Sequence, residues 1–360
     1  MKEKGEYQFF TNTKEAVEAM YLAVAEAKSS IYLETYFFQP YYYSFKLAEK
    51  LKQKAQEGLE VKIIFDGYGS KDFDEKIIED IKKAGADVVI FNPYKLSAFW
   101  RGIHYFFERN HRKVLVVDKN VGFMGGVNIS GFEENWLDLQ VKISGPSVRV
   151  LLRSFSRSYL AGGGTLDKIK HLLYLPIIKE NYWRILLHKP EADNSVVKNF
   201  YINWINKAQK SLTLVSPYFL PDQEIFKALE EAKKRGVKID VLMPWATDHI
   251  SITYAMRAYW ELYAKAGMKL YLVRRMLHAK AMMVDGKVAF VGSSNFDSQT
   301  FYRSHEINLI FSNKKMIGDL KNIFSNWKKT SRLFSPLRWE KRSRKHRFWE
   351  FWAKILKPFL

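Results

Sequence analysis

The strings His111-Arg112-Lys113-Val114-Leu115-Val116-Val117-Asp118 and His278-Ala279-Lys280-Ala281-Met282-Met283-Val284-Asp285 are two copies of one pattern, His-x-Lys-x4-Asp. Each is followed, after six residues, by a pair of small residues and an asparagine: Gly125-Gly126-Val127-Asn128 and Gly292-Ser293-Ser294-Asn295. In an extended strand residues i and i+2 share a face, so each histidine projects with its lysine. The apolar residues between Lys and Asp read as strand core. Asp118-Lys119-Asn120 and Asp285-Gly286-Lys287 read as hairpin turns that bring the small residues back beside the histidines. There, Gly126 and Ser293 would let backbone N–H groups approach an anion, and Asn128 and Asn295 would offer amide donors.

Around these strings the chain repeats. Thr13 to Lys28 has a helical period and leads into the β-rich run Ser30 to Phe38; a helix near Phe45 to Gln56 and a strand from Glu60 to Phe65 follow. The same order returns as Val196 to Lys210, Ser211 to Phe219, Gln223 to Arg235 and Val237 to Met243. Ser30-Ile-Tyr-Leu ahead of Pro40 mirrors Ser211-Leu-Thr-Leu ahead of Pro221. This alternation predicts two tandem α/β repeats related by a pseudo-twofold axis, each a mostly parallel or mixed sheet flanked by helices. The expected division is a first repeat over 1–160, a connector over 161–194, a second repeat over 195–330 and a tail over 331–360.

Placed around one pocket, two imidazoles, two ammonium groups and two amides suit phosphodiester chemistry. Lys113 and Lys280 would neutralise charge on non-bridging oxygens as it builds, so the reading calls for no metal or other cofactor. One histidine would attack phosphorus; the other would protonate the leaving alkoxide and later deprotonate the acceptor. Each imidazole also needs a partner to hold its tautomer. Asp138 lies 27 residues after His111 and Glu306 lies 28 after His278, each opening an alternating apolar strand, which marks them as orienting carboxylates. Asp118 and Asp285 complete the candidate set, although turn formation or pairing with a nearby cation explains them without a chemical role.

The string His-x-Lys-x4-Asp-x6-Gly-[Gly/Ser]-x-Asn resembles the signature of the phospholipase D superfamily, and both copies are intact. Tyr32-Leu-Glu-Thr-Tyr-Phe-Phe, Arg109-Asn-His-Arg-Lys, Ser216-Pro-Tyr-Phe-Leu-Pro, Leu277-His-Ala-Lys and Asp248-His249 with Tyr254 further resemble the bacterial cardiolipin synthases, over residues 8 to 330 or so. That resemblance implies a phosphatidyltransferase acting on phosphatidylglycerol: glycerol leaves, a phosphatidyl-histidine forms, and the hydroxyl of a second lipid resolves it. It implies His111 as nucleophile and His278 as acid and base. A phospholipase D-type hydrolase, a phosphatidylserine synthase and a nuclease of the superfamily are the alternatives.

A net charge of +20 draws the chain toward polyanions without choosing among lipid and nucleic acid, whereas the fused pair of motifs favours lipid; no nucleic acid partner is expected. Cysteine is absent, which excludes disulfides and thiolate chemistry. Met1 to Phe10 is charged with no apolar run behind it, and no stretch of about 18 apolar residues occurs, so neither a signal peptide nor a spanning helix is expected. The chain thus resembles a short form of the family, expected to bind peripherally at the cytoplasmic face of the cell membrane. From Arg338 to Leu360 eight Lys/Arg accompany Phe348, Trp349, Phe351 and Trp352 at helical spacing, the pattern of a helix lying in the bilayer interface or covering the protein's own core. Phe91 to Phe107, basic and aromatic, is a candidate acyl-chain entrance, and Leu166 to Leu187 is expected to cover the surface between repeats.

Overall fold

The computed structural model describes residues 6–93, 107–176, 183–191 and 194–356. The first repeat runs β1 (Tyr7–Asn12), α1 (Thr13–Ala25), β2 (Ser30–Thr35), α2 (Tyr42–Gln56), β3 (Glu60–Asp66), α3 (Glu75–Lys83), β4 (Asp87–Phe91), β5 (Arg109–Asn110), β6 (Val114–Val117), β7 (Val121–Gly125), β8 (Leu137–Ser144) and α4 (Val148–Ala161). After α5 (Leu166–Leu173) the order returns as β9 (Trp183–His188), α6 (Val196–Lys207), β10 (Ser211–Val215), α7 (Gln223–Lys234), β11 (Lys238–Pro244), α8 (Ile250–Lys265), β12 (Lys269–Val273), β13 (Lys280–Val284), β14 (Val288–Gly292), α9 (Ser298–Arg303), β15 (Ser304–Phe311) and α10 (Lys314–Lys329). The chain closes with β16 (Ser331–Leu333), α11 (Pro336–Trp339) and α12 (Arg344–Leu356).

The strand orders of the two sheets are the same: β1-β8-β7-β6-β2-β3-β4 in the first, and β9 on β15 followed by β14-β13-β10-β11-β12 in the second, where β16 adds to the edge. Duplication is therefore visible in the topology. Both sheets are mixed rather than mostly parallel. Within each repeat β2-β3-β4 and β10-β11-β12 run parallel, whereas the hairpins β6–β7 and β13–β14 and the strands beyond them return antiparallel. The central strands are buried along their whole length, and β6 accordingly is an unbroken apolar run. Helix starts are fixed locally: the side chains of Asn12, Asp74 and Asp222 accept from backbone N–H groups of the first turns of α1, α3 and α7.

Two departures from the sequence reading are positional. Strand β9 lies inside the segment assigned to the connector, yet it pairs with β15 along its length and buries Trp183 and His188, so the second sheet begins before residue 195 and Leu166 to Leu187 is not merely a surface cover. Its counterpart β1 pairs the same way with β8 and was likewise not expected. Both are strands that pair at a distance in sequence, where local periodicity carries little signal.

One face of each sheet joins a single shared core, in which Val116, Met124, Leu139 and Val141 from the first repeat meet the cluster that also holds Ala279, Ala281, Val291 and Leu309 from the second. Each repeat also has its own outer cluster under its helices. Fully buried aromatics such as Phe123, Phe155 and Phe290 contribute roughly 1.5–3 kcal/mol apiece. The shared core fixes the two sheets against each other, and the two motif strings sit at that seam.

Candidate active site

Each motif is delivered by a hairpin. The turn between β6 and β7 places Asp118 and Lys119 in left-handed conformations (φ 51° and 56°), and Asp285 and Gly286 repeat this (φ 53° and 63°). The Asp118 carboxylate accepts from the N–H groups of Lys28, Ser29 and Ser30 at 3.0, 2.7 and 3.1 Å, tying the turn to the chain entering β2. Asp285 takes Gln209, Lys210 and Ser211 at 3.0, 2.7 and 2.9 Å in the same way, ahead of β10. Burial opposes ionisation of both, but these N–H groups hold each carboxylate below its ordinary range. Both aspartates thus staple their hairpins, the turn-forming role that needs no chemistry.

The histidines meet at the seam, and each is held by the other repeat. His111 Nδ1 lies 3.0 Å from Glu306 Oε1 on β15, and His278 Nδ1 lies 2.7 Å from Asp138 Oδ2 on β8. Backbone geometry enforces the exchange. The His111 N–H donates to His305 O at 3.1 Å and the His278 N–H to Leu137 O at 2.7 Å, each carbonyl belonging to the residue just before the acid. Strand β5 pairs in parallel with the start of β15, and Leu137 bridges to Leu277. The spacing of 27 and 28 residues found the acids; it did not reveal that they cross.

The small residues do a different job from the one expected. The Gly126 N–H donates to Leu139 O at 2.9 Å and the Ser293 N–H to Ile307 O at 3.0 Å, so neither is open to an anion. A Cβ at Gly126 would fall 2.2 Å from Asp138 Oδ1: glycine there makes room for the carboxylate. Ser293 instead donates its hydroxyl to Glu306 Oε2. Asn128 and Asn295 both line the pocket. The Asn128 amide is committed, donating to both oxygens of Glu133 at 3.0 and 3.2 Å. The Asn295 amide donates to the Asp297 carboxylate, while its Oδ1, an acceptor, has no partner among the described residues.

Charge is packed unusually densely at this seam. Lys113 Nζ donates to His111 O at 2.8 Å and Lys280 Nζ to His278 O at 2.5 Å, so each lysine folds back on its own histidine. Lys113 also lies 5.1 Å from the centre of the Tyr36 ring, which packs edge-on against His111 at 5.1 Å. Burial, then the charge of Lys280, brings the Lys113 ammonium down to about 7; burial brings Lys280 down to about 8 against the pull of Asp138, Glu133 and Glu306. Burial lifts Glu306 and Glu133 to about 8 each. Asp138 differs: although burial pushes it up, the charge and hydrogen bond of His278 hold it below the ordinary carboxylate range. Both histidines are driven down by burial and the nearby lysines, His111 well below its usual value, while Asp138 partly restores His278.

His111 and His278 open on one cavity of about 180 Å³, walled also by Tyr36, Phe37, Arg109, Tyr218, Asp248 and His249. Tyr218 donates to Asp248 at 2.7 Å. Trp136 packs 5.3 Å from the His278 ring. Of these, Tyr36, Tyr218 and Asp248 fall in stretches that carry the resemblance to the cardiolipin synthases. Glu133 was missed, being one of two adjacent acids, Glu133 and Glu134, with nothing in the sequence to say which is buried. The aromatic-basic stretch Phe91 to Phe107 lies mostly outside the described residues. Each Nδ1 is held by a carboxylate, which leaves Nε2 as the other ring nitrogen of each histidine.

The family described as cardiolipin synthase, PLD-like domain, matches residues 22–157 and 201–328, one segment in each repeat. The chain is 33% identical to the cardiolipin synthase of Halalkalibacterium halodurans over 87% of its own length and 64% of that protein. It is 30% identical to the cardiolipin synthase of Listeria innocua over its whole length and 76% of that one. Among solved structures, the phosphatidylserine synthase of Haemophilus influenzae superposes with a TM-score of 0.76 over 98% of this chain and 92% of that one, at 13% identity, a likeness of fold.

Proposed function

This chain belongs to the cardiolipin synthase family with PLD-like domains and is a phosphatidyltransferase acting on lipid, and we propose that it moves a phosphatidyl group from one phosphatidylglycerol to the hydroxyl of a second, releasing glycerol. His111 Nε2 attacks phosphorus and the bond to the glycerol oxygen breaks; His278 protonates that oxygen as it leaves. The hydroxyl of the second lipid then gives its proton to His278 and attacks the phosphatidyl-histidine, which frees His111. Lys113 and Lys280, in their cationic forms, neutralise the non-bridging oxygens.

The observation that carries the order of roles is the unequal pair of carboxylates. Asp138 stays ionised beside His278, so it steadies the imidazolium that a proton carrier must become. Glu306 is lifted to about 8 and supplies little counter-charge near neutrality, so His111 stays neutral with a free lone pair, as a nucleophile needs. Incubation with phosphatidylglycerol vesicles in a metal chelator tests the reaction: cardiolipin and free glycerol are expected, whereas phosphatidic acid as sole product means a hydrolase. His111→Ala should abolish the covalent adduct and His278→Ala should slow or trap it; the opposite pattern reverses the roles.

No helix among the described residues is long and apolar enough to cross a membrane. Helix α12 supports a peripheral approach. It packs on α8, where Glu350 and Ala353 are buried and the Trp349 ring lies 6.3 Å from that of Tyr254, while Phe348, Phe351 and Trp352 are 46–59% exposed. An aromatic face turned outward on a basic helix is suited to the headgroup boundary of an anionic bilayer.

A further inference from the structure

A second cavity, of about 480 Å³, lies between α8, the edge strand β16, α11 and the start of α12. Its cations are Arg257, Arg332, Arg338, Lys341, Arg342 and, when protonated, His346; no carboxylate lines it among the described residues. Glu350, outside the lining, accepts from Arg342 Nε at 2.8 Å and also acts electrostatically on His346 and Arg257, while its Oε1 has no hydrogen-bond partner among the described residues. The floor is aromatic. Arg257 stacks 5.4 Å from the Trp245 ring and gives one terminal N–H to Trp245 O at 3.1 Å. Two buried donors on the wall, Arg257 Nε and Trp339 Nε1, have no hydrogen-bond partner among the described residues.

Gathered like charges repel, and orphaned buried donors are costly, so this arrangement stands at a disadvantage until an anion enters. The rim tells what the anion is attached to. Leu333, which lines the cavity, and Leu337, next to the lining residue Arg338, are 52% and 75% exposed, so a polar head held in the cavity has apolar surface beside it for a chain. We propose that this cavity binds the phosphate of an anionic phospholipid headgroup, a lipid other than the one undergoing reaction. The site is separate from the catalytic pocket but shares a helix with it: His249 and Ile252, at the start of α8, line the catalytic pocket, and Arg257 further along lines this one. Nothing in the proposal depends on which reaction the catalytic pocket performs.

The test uses the full chain and vesicles of equal parts phosphatidylcholine and phosphatidylglycerol. An Arg257→Gln/Arg338→Gln variant should bind them about tenfold more weakly or worse, the loss expected when a charge-assisted hydrogen bond goes. Its turnover of a soluble short-chain phosphatidylglycerol should match the unaltered chain. A control variant, Lys83→Gln/Lys321→Gln, loses the same charge from exposed positions elsewhere. An equal drop in that control means diffuse attraction and overturns the site, as does unchanged vesicle binding by the Arg257→Gln/Arg338→Gln variant. Titration with inorganic phosphate separates the sources: if it displaces short-chain phosphatidylglycerol at equal concentration, the cavity recognises the free ion and the lipid assignment fails. Should the variant melt early, Arg332→Gln/Lys341→Gln at the exposed rim replaces it.

Discussion

Glu306 lies on β15 of the second repeat, yet its carboxylate holds the histidine of the first, with Oε1 3.0 Å from His111 Nδ1. Asp138 returns the arrangement to His278 at 2.7 Å. The two motifs are therefore not two half-sites that happen to face each other. Each is incomplete until the other repeat supplies its acid.

From the crossing comes a separation of phenotypes. Asp138→Asn should behave like His278→Ala, letting the phosphatidyl adduct form slowly or persist while turnover falls by about 10³-fold or more. Glu306→Gln should act on His111 and slow adduct formation itself. Rapid-quench measurement of the adduct checks this; if Asp138→Asn removes the adduct while Glu306→Gln preserves it, the acids serve the opposite steps.

Catalysis should also have a narrow pH range. The lysines must be cationic, and burial brings them to about 7 and about 8, so kcat/KM should fall as pH rises through that interval. His111 must be neutral and its pKa lies well below 6.5, so the acid limb should come below that of an ordinary histidine. An alkaline limb near the usual lysine value of 10.5 would contradict the account.

Glu133 should make the fold less stable as the solution becomes more alkaline. In the unfolded chain it ionises near 4.5, whereas in the folded chain it keeps its proton to about 8, so between these values the folded state binds more protons and stability declines as pH rises. Glu133→Gln cannot ionise. Its melting temperature should exceed that of the unaltered chain by roughly a few degrees near pH 8, and the gap should close as pH falls toward 4.5. A gap independent of pH would show that Glu133 is not held protonated.

Replacing Phe348 and Trp352 by Ser should weaken binding to anionic vesicles by about tenfold or more, since each buried aromatic contributes roughly 1.5–3 kcal/mol when it leaves water. Both side chains are exposed in the folded chain, so the melting temperature should hardly move. Unchanged sedimentation with vesicles would remove α12 from the account of membrane approach.

Much of this site could be read before any coordinates. The paired strings located both histidines and both lysines, because four residue types at fixed spacing rarely coincide twice. Asp138 and Glu306 were found by their place at the head of alternating strands. What sequence could not supply was partnership across the seam: that Glu306 serves His111, that Gly126 makes room for Asp138, and that Glu133 rather than Glu134 turns inward. Those facts depend on how two sheets pack, and spacing along one chain says nothing of it. The strands β1 and β9 escaped for a similar reason, since both are recruited by partners far along the chain.

The parallel pairing of β5 with β15 has a consequence at low abundance. A protein with one motif would have to find a second copy before it could act, and its output would fall steeply as it was diluted. Joining both copies in one polypeptide makes that encounter intramolecular, with an effective concentration set by the connecting chain rather than by expression level. Few molecules on a membrane then suffice, because each arrives already assembled.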